Sequence, residues 1–205
     1  MEWFPFFTDI EAMPCLIVGG GTVALRKTEK LLPFHPKITV AAPEICPELQ
    51  AMERITLRRE TFREDMLEGM GFVIAATDDR DVNAAIAAQC RRRGIPVNAV
   101  DSRADCSFLF PALVKRGPLT VGISTGGASP TAAALLREQL EQSLPENVEE
   151  LLQWLDSIRP TMKERLPEET DRAKLFRRLT AYCFTEGRIP GEAVFEKLLQ
   201  DAENK

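Results

Sequence analysis

Histidine occurs once in 205 residues, as His35, within Leu32-Pro33-Phe34-His35-Pro36, a turn-rich stretch that reads as a surface loop. The five cysteines (Cys15, Cys46, Cys90, Cys106 and Cys183) are odd in number and never form a C-x-x-C pair. This spacing argues against a disulfide framework and against a zinc site, and the thiols read as reduced. With His, Cys and carboxylates scattered, no resident metal is expected. No apolar run reaches the length that spans a bilayer. The N-terminal Trp3-Phe4-Pro5-Phe6-Phe7 is too short for a signal-peptide core, has no basic region before it, and is followed by Asp9 and Glu11. No membrane association and a cytoplasmic location are therefore expected. There is also no excess of positive charge: 26 Lys and Arg against 31 Asp and Glu leave −5, which disfavours a general nucleic-acid binder. Internal repeats and low-complexity linkers are absent.

What the chain does contain is a glycine-broken apolar run, Cys15-Leu16-Ile17-Val18-Gly19-Gly20-Gly21-Thr22-Val23-Ala24, leading into a helical pattern. Gly19 and Gly21 fall on the first two glycine positions of G-x-G-x-x-G/A and Ala24 on the third, so the backbone can turn sharply, approach a pyrophosphate and pack helix on strand. The N–H groups at the start of the following helix are free to meet an anion. A plain structural turn is the competing reading of this segment taken alone.

Further along, residues 37–42 and 55–58 read as strands, 71–76 as a strand buried on both faces, 79–93 as a helix stopped by Gly94, and 95–100 as another strand. This alternation predicts a doubly wound parallel sheet with its ligand crevice at the carboxyl ends of the strands, near which Thr77, Asp78, Asn98 and Asp101 fall. From Cys106 the rhythm changes. Residues 107–110, 112–115 and 119–123 read as short strands of an added sheet. Ser129-Pro130 is a helix start, with Ser as N-cap and Pro at the first position, and the chain beyond Pro145 is helical. Arg91-Arg92-Arg93 reads as solvated charge complementing a helix dipole, and Arg54, Arg58, Arg59 and Arg63 as surface charge.

Five ordered segments carry a more specific signal: Phe4-Pro5-Phe6-Phe7; Val18 to Ala24 with Arg26-Lys27; Ala75-Ala76-Thr77-Asp78-Asp79 with Asn83; Asn98-Ala99-Val100-Asp101; and Ser124-Thr125-Gly126-Gly127-Ala128-Ser129-Pro130. In these the chain resembles the precorrin-2 dehydrogenase and sirohydrochlorin ferrochelatase family, over nearly its whole length. The resemblance implies an α/β fold: a Rossmann-like parallel sheet domain binding NAD (1–106), a small α+β dimerisation and substrate domain (107–144) that interlocks a homodimer, and a helical C-terminal domain (145–205). It also implies NAD-dependent oxidation of precorrin-2 to sirohydrochlorin, with insertion of Fe2+ (or Co2+) as a further activity of the same site. No methyltransferase module resembling the one fused to some siroheme synthases is expected here.

By the same resemblance, Gly19, Gly21, Thr22 and Val23 hold the pyrophosphate, Pro43 and Glu44 meet the adenosine end, and Ala76, Thr77 and Asp78 line the cofactor. The second strand ends Val40-Ala41-Ala42, without the usual acid for the ribose hydroxyls and with no cation there for a 2′-phosphate. Asp101 matches the family's catalytic aspartate and is expected to act as general base. A turn cap or a pair with Arg103 is its structural alternative. Asn98 is expected to steer the macrocycle by hydrogen bonding. Ser124, Thr125, Gly126 and Gly127, at a helix N-terminus, are expected to receive substrate carboxylates. An NAD-sensing or ligand-binding regulatory module without turnover is the alternative from another class.

Overall fold

Side chains alternate across a strand, so a strand apolar at every position must be covered on both faces. β1 (Pro14–Val18) is such a strand. Cys15 and Ile17 enter one core cluster with Ile38, Val40, Phe72 and Ile74. Leu16 and Val18 enter the opposite one with Ala41, Val73, Ala75 and Val97. The computed structural model describes residues 3–204, and its first compact unit, Phe4–Phe110, is built on this two-sided sheet.

The sheet contains β2 (Lys37–Ala41), β3 (Ile55–Arg58), β4 (Phe72–Ala75) and β5 (Val97–Ala99) besides β1, all parallel, in the order β3-β2-β1-β4-β5. Val18 pairs with Ala41 on one side and Ala75 on the other. The strand order reverses here, so the crevice of a doubly wound sheet opens beyond Val18 and Ala75. α1 (Thr22–Leu31) covers one face through Ala24 and Leu31, joined at the edge by α2 (Pro47–Gln50) through Leu49. α3 (Arg80–Arg92) covers the other through Ile86, Ala87 and Cys90. Asp79 starts α3 by accepting from the N–H groups of Asp81 and Val82, at 2.8 and 3.1 Å, which satisfies two otherwise orphaned donors. Gly94, at φ +70°, follows its end. The expected parallel Rossmann-like sheet is the one observed.

The strand expected over residues 107–110 does not form. Ser107 N–H donates to Val97 C=O at 2.8 Å, but the chain then turns its rings inward. Phe108 stands edge-on to Phe72 with centroids 6.1 Å apart and lies 5.6 Å from Phe110. Aromatic packing on the core therefore takes the place of a ladder, and the first unit runs through Phe110.

The second unit comprises the chain from Pro111 onward together with Trp3. β6 (Ala112–Arg116) and β7 (Leu119–Ile123) form an antiparallel hairpin about Gly117-Pro118. α4 (Pro130–Ser143) packs on both strands. Ser129 caps it, its hydroxyl accepting from Ala132 N–H at 3.1 Å. α5 (Val148–Ser157), α6 (Arg159–Arg165), α7 (Glu169–Glu186) and α8 (Glu192–Glu203) share a separate apolar cluster that includes Leu151, Met162, Leu175, Leu179 and Leu199.

Candidate active site

The glycine loop sits at the switch point because only glycine fits there. Gly19 has φ +125°, and a Cβ on it would stand 2.1 Å from Ala76 C=O at the end of β4. A Cβ on Gly20 would stand 2.0 Å from Glu44 C=O, while Cys46 N–H donates to Gly20 C=O at 2.8 Å, drawing the turn that carries Pro43 and Glu44 against the loop. Gly21 is different: nothing lies within 4 Å of the Cβ it lacks. It is also the N-cap of α1, without a side chain to satisfy the first-turn N–H groups. Ala24, fully buried, lets helix and strand approach. The loop thus offers space, uncapped donors and the positive end of a helix dipole together, which suits a pyrophosphate.

Gly19, Gly21, Thr22 and Val23 therefore gather at one edge with Ala76, while Pro43 and Glu44 are exposed on the adjoining turn. Thr77 has a mainly structural engagement. Its hydroxyl lies 2.8 Å from Asn83 Oδ1, its N–H donates to the same oxygen at 3.1 Å, and Asn83 Nδ2 donates back to Thr77 C=O at 2.9 Å. Buried Asn83 is the anchor of this turn; Asp78 beside it is exposed.

At the end of β2 the fold brings in a cation that the local sequence lacks. Parallel pairing places Arg58 of β3 in register with Ala41, and Ala42 N–H donates to Arg58 C=O at 3.1 Å. The guanidinium is not free: Nε donates to Glu60 at 2.7 Å. Arg58, followed by Arg63, holds the Glu60 carboxyl below its ordinary pKa. Arg58 is therefore more than isolated surface charge.

Asp101 follows β5 by two residues and is exposed, with φ +60°, a left-handed conformation that Asp tolerates better than most residues. Its side chain makes no hydrogen bond or ion pair among the described residues, so neither the turn cap nor the Arg103 pair is formed. The loop bearing it is tied at both arms. Val97 N–H donates to Ser107 Oγ at 2.7 Å, and Cys106 Sγ lies 3.2 Å from Ala99 C=O. Arg91 reaches across from α3 to Asp105 at 2.5 Å, so it does more than complement the helix dipole. The hydroxyl of Ser102 and then Arg91 keep the Asp105 carboxyl below its ordinary pKa.

Asn98 turns inward, contrary to the expectation that it steers a ligand. The alternation of β5 sends Val97 and Ala99 to the α3 face and Asn98 to the other, where it is 6% exposed. Its Oδ1 accepts from Lys27 Nζ at 3.3 Å and its Nδ2 donates to Phe108 C=O at 2.9 Å. Lys27, which the sequence marked only as part of the Arg26-Lys27 pair after the glycine loop and gave no role, has its ammonium 3.8 Å from the centre of the Phe110 ring. Burial, reinforced by Lys30, lowers its pKa from 10.5 to about 8.

In the second unit, the loop before α4 is ordered by its own hydroxyls. Ser124 Oγ accepts from Gly126 N–H at 3.2 Å, while Thr125 Oγ1 accepts from Ser129 N–H at 3.1 Å and lies 3.0 Å from Ser129 C=O. Gly126 and Gly127 have φ of +63° and +88°. Among the described residues, no cluster of three or more His, Cys, Asp or Glu is placed to hold a metal, and no helix is long and apolar enough to cross a membrane.

The parallel sheet, its switch point and the open glycine loop define a dinucleotide-binding protein of the Rossmann class. Residues 6–112 match the family model described as "Putative NAD(P)-binding", and residues 116–143 match the one described as "Sirohaem biosynthesis protein central". The chain belongs to the putative NAD(P)-binding family, whose model matches more than half of its length. It is 41% identical over 196 residues to the siroheme synthase of Methylococcus capsulatus, covering 94% of this chain and 41% of that protein. It is 36% identical over 210 residues to the siroheme synthase of Nitrosomonas europaea, covering 100% of this chain and 44% of that one. The chain thus spans about two fifths of the length of these curated relatives. Among solved structures, SirC, a precorrin-2 dehydrogenase, superposes with a TM-score of 0.71 at 25% identity, over 99% of this chain and 100% of that one.

Proposed function

We propose that the chain is an NAD-dependent dehydrogenase that oxidises precorrin-2 to sirohydrochlorin. The observation that carries this reading is the likeness to a precorrin-2 dehydrogenase over 99% of this chain, combined with an open glycine loop at the switch point and an exposed carboxylate, Asp101, without a partner among the described residues, beyond a neighbouring strand. Bound NAD+ supplies the hydride acceptor. The residues do the rest. Gly21 leaves room for the pyrophosphate and the first turn of α1 donates to it, with Thr22 and Val23 at the contact. Ala76, Thr77 and Asp78 border the cofactor from β4, and Pro43 and Glu44 border its adenosine end. Asp101 accepts the proton that leaves precorrin-2 as the hydride departs. Ser124, Thr125, Gly126 and Gly127 receive substrate carboxylates at the N-terminus of α4. Metal insertion into sirohydrochlorin, with Fe2+ or Co2+ as substrate, is the second step proposed for the same site.

The functional form is a homodimer built on the second unit. Its support is an apolar face of α4, where Leu135 and Leu136 are 54% and 48% exposed, beside a two-stranded sheet. Five free thiols suit a reducing compartment and support a cytoplasmic location.

An anaerobic assay tests the reading. Purified protein receives fresh precorrin-2 and NAD+, and NADH is followed together with the sirohydrochlorin spectrum before and after Fe2+ is added. Coupled formation of NADH and sirohydrochlorin is expected, followed by a spectral change with Fe2+ faster than the spontaneous one. NAD binding without turnover would overturn the dehydrogenase reading.

A further inference from the structure

We propose that Lys27 is a positioning residue that, through the amide of Asn98, sets the loop from Val100 to Phe108 and with it the place from which Asp101 meets the substrate. The inference rests on the preceding assignment of Asp101 as the proton acceptor.

Lys27 and Asn98 are 71 positions apart and meet because α1 covers the face of the sheet to which Asn98 points. An ammonium has three donors and no acceptor, so it can face only the oxygen of the Asn98 amide. Once Oδ1 is turned to Lys27, Nδ2 must point the other way. There it finds Phe108 C=O at 2.9 Å and Cys106 Sγ at 3.4 Å. Asn98 lies on the outgoing arm of the loop, and Cys106 and Phe108 lie on the returning arm. One amide thus joins the two arms on the inside, as Arg91 and Asp105 hold the loop on the outside. The Phe110 ring, 3.8 Å from the same ammonium, secures the end of the returning arm.

Such a clamp matters at this loop because Asp101 is held at φ +60°, which persists only where the surroundings determine it. The position of Lys27 is also unlike that of a surface lysine. Burial first, and then Lys30 on the same helix, lower its pKa to about 8, against the opposing influence of Cys106 on the loop. Asn98 and Phe110, which touch the ammonium, do not titrate, and the charged Arg26, Glu29 and Lys30 of α1 border the same surface pocket as Lys27. A neutral amine accepts as well as donates, so loss of the proton removes the demand that Asn98 present its oxygen.

Amide hydrogen exchange of the full chain without ligands tests this, using Lys27→Met and Lys27→Arg. In Lys27→Met, protection over residues 97–108 is expected to fall by about tenfold or more while peptides of β1 and β2 keep theirs. In the native protein the protection factors of 97–108 should decline with a midpoint near the pKa of about 8, and in Lys27→Arg this decline should disappear below about pH 10. With precorrin-2 and NAD+, Lys27→Met should lose about tenfold or more in kcat, leave the KM for NAD+ unchanged, and be rescued in part by Lys27→Arg. Unaltered protection of 97–108 in Lys27→Met overturns the proposal, even if kcat falls. If that variant does not fold, a decline near pH 8 that persists in Lys27→Arg overturns it. If the native protein does not turn over precorrin-2, the dehydrogenase reading fails, whereas the exchange measurements still decide whether Lys27 holds the loop.

Discussion

Glu44 C=O lies 2.0 Å from the point at which a Cβ on Gly20 would stand. The middle glycine of the loop is therefore excluded from bearing a side chain by the backbone of the β2–α2 turn, and Gly19 is excluded in the same way by Ala76 C=O at 2.1 Å. Gly21 alone of the three faces open space.

This contrast separates stability from cofactor binding. Gly20→Ala should cost about 3 kcal/mol in urea unfolding, because backbone must move to admit the methyl. Gly21→Ala should change stability by about 0.5 kcal/mol or less, yet weaken NAD+ binding by about tenfold or more by calorimetry if the open space at Gly21 receives the pyrophosphate.

Asp101 can be changed without disturbing its backbone. Asparagine tolerates the left-handed region, so Asp101→Asn should remain folded with its NAD+ affinity unchanged. Its kcat for precorrin-2 should fall by about 10²-fold or more if the carboxylate takes the proton. Asp101→Ala should add about 1 kcal/mol of instability from the strained φ. Turnover equal to native in Asp101→Asn would remove this carboxylate from the chemistry.

Arg58 and Glu60 bear on the choice between NAD and NADP. Glu60 occupies the guanidinium that β3 places beside the end of β2. Glu60→Ala frees it for a 2′-phosphate, and the ratio of kcat/KM for NADP+ over NAD+ should rise about fivefold or more. An unchanged ratio would place the adenosine ribose away from Arg58.

Lys27 makes a signed prediction about pH and stability. Its folded pKa is about 8 and its ordinary value 10.5, so between these limits the unfolded chain binds more protons than the folded one. The Lys27 contribution to unfolding free energy therefore rises with pH across that window, and the penalty for the buried charge is fully present below it. Arginine stays charged throughout. The stability of the native protein minus that of Lys27→Arg, from urea titrations at pH 7.5 and 9.5, should increase. Subtraction cancels the opposite trend from Cys15, whose thiol pKa is raised by burial in both proteins.

The exposed pair on α4 tests the dimer. Leu135→Glu combined with Leu136→Glu should leave a folded monomer at micromolar concentration in sedimentation equilibrium, where the native chain is expected to sediment as a dimer. A native chain that sediments as a monomer would refute the assembly.

Much of the fold was legible because its signals are local. Uninterrupted apolar runs such as Phe72 to Ala75 require burial on both faces, Gly94 ends a helix, and Ser129-Pro130 begins one. Residues 107–110 misled because Phe-Leu-Phe carries strand propensity, whereas packing of Phe108 on Phe72 outweighed one more ladder. Arg91 looked like helix-end charge until the loop brought Asp105 to it. Arg58 lay too far along the chain from Ala41 for their pairing to be foreseen.

The sequence by itself determined that a parallel sheet would carry a glycine loop at a helix start and an aspartate just beyond its last strand, because periodicity and backbone freedom are properties of neighbouring residues. Only the tertiary structure decided which side chains remain available at that edge. Asn98 is turned inward and its amide is used by Lys27 and Phe108, whereas Asp101 is exposed and its carboxylate has no partner among the described residues. Hydrogen bonding between distant residues depends on how helix and strand pack, and no spacing along the chain encodes it.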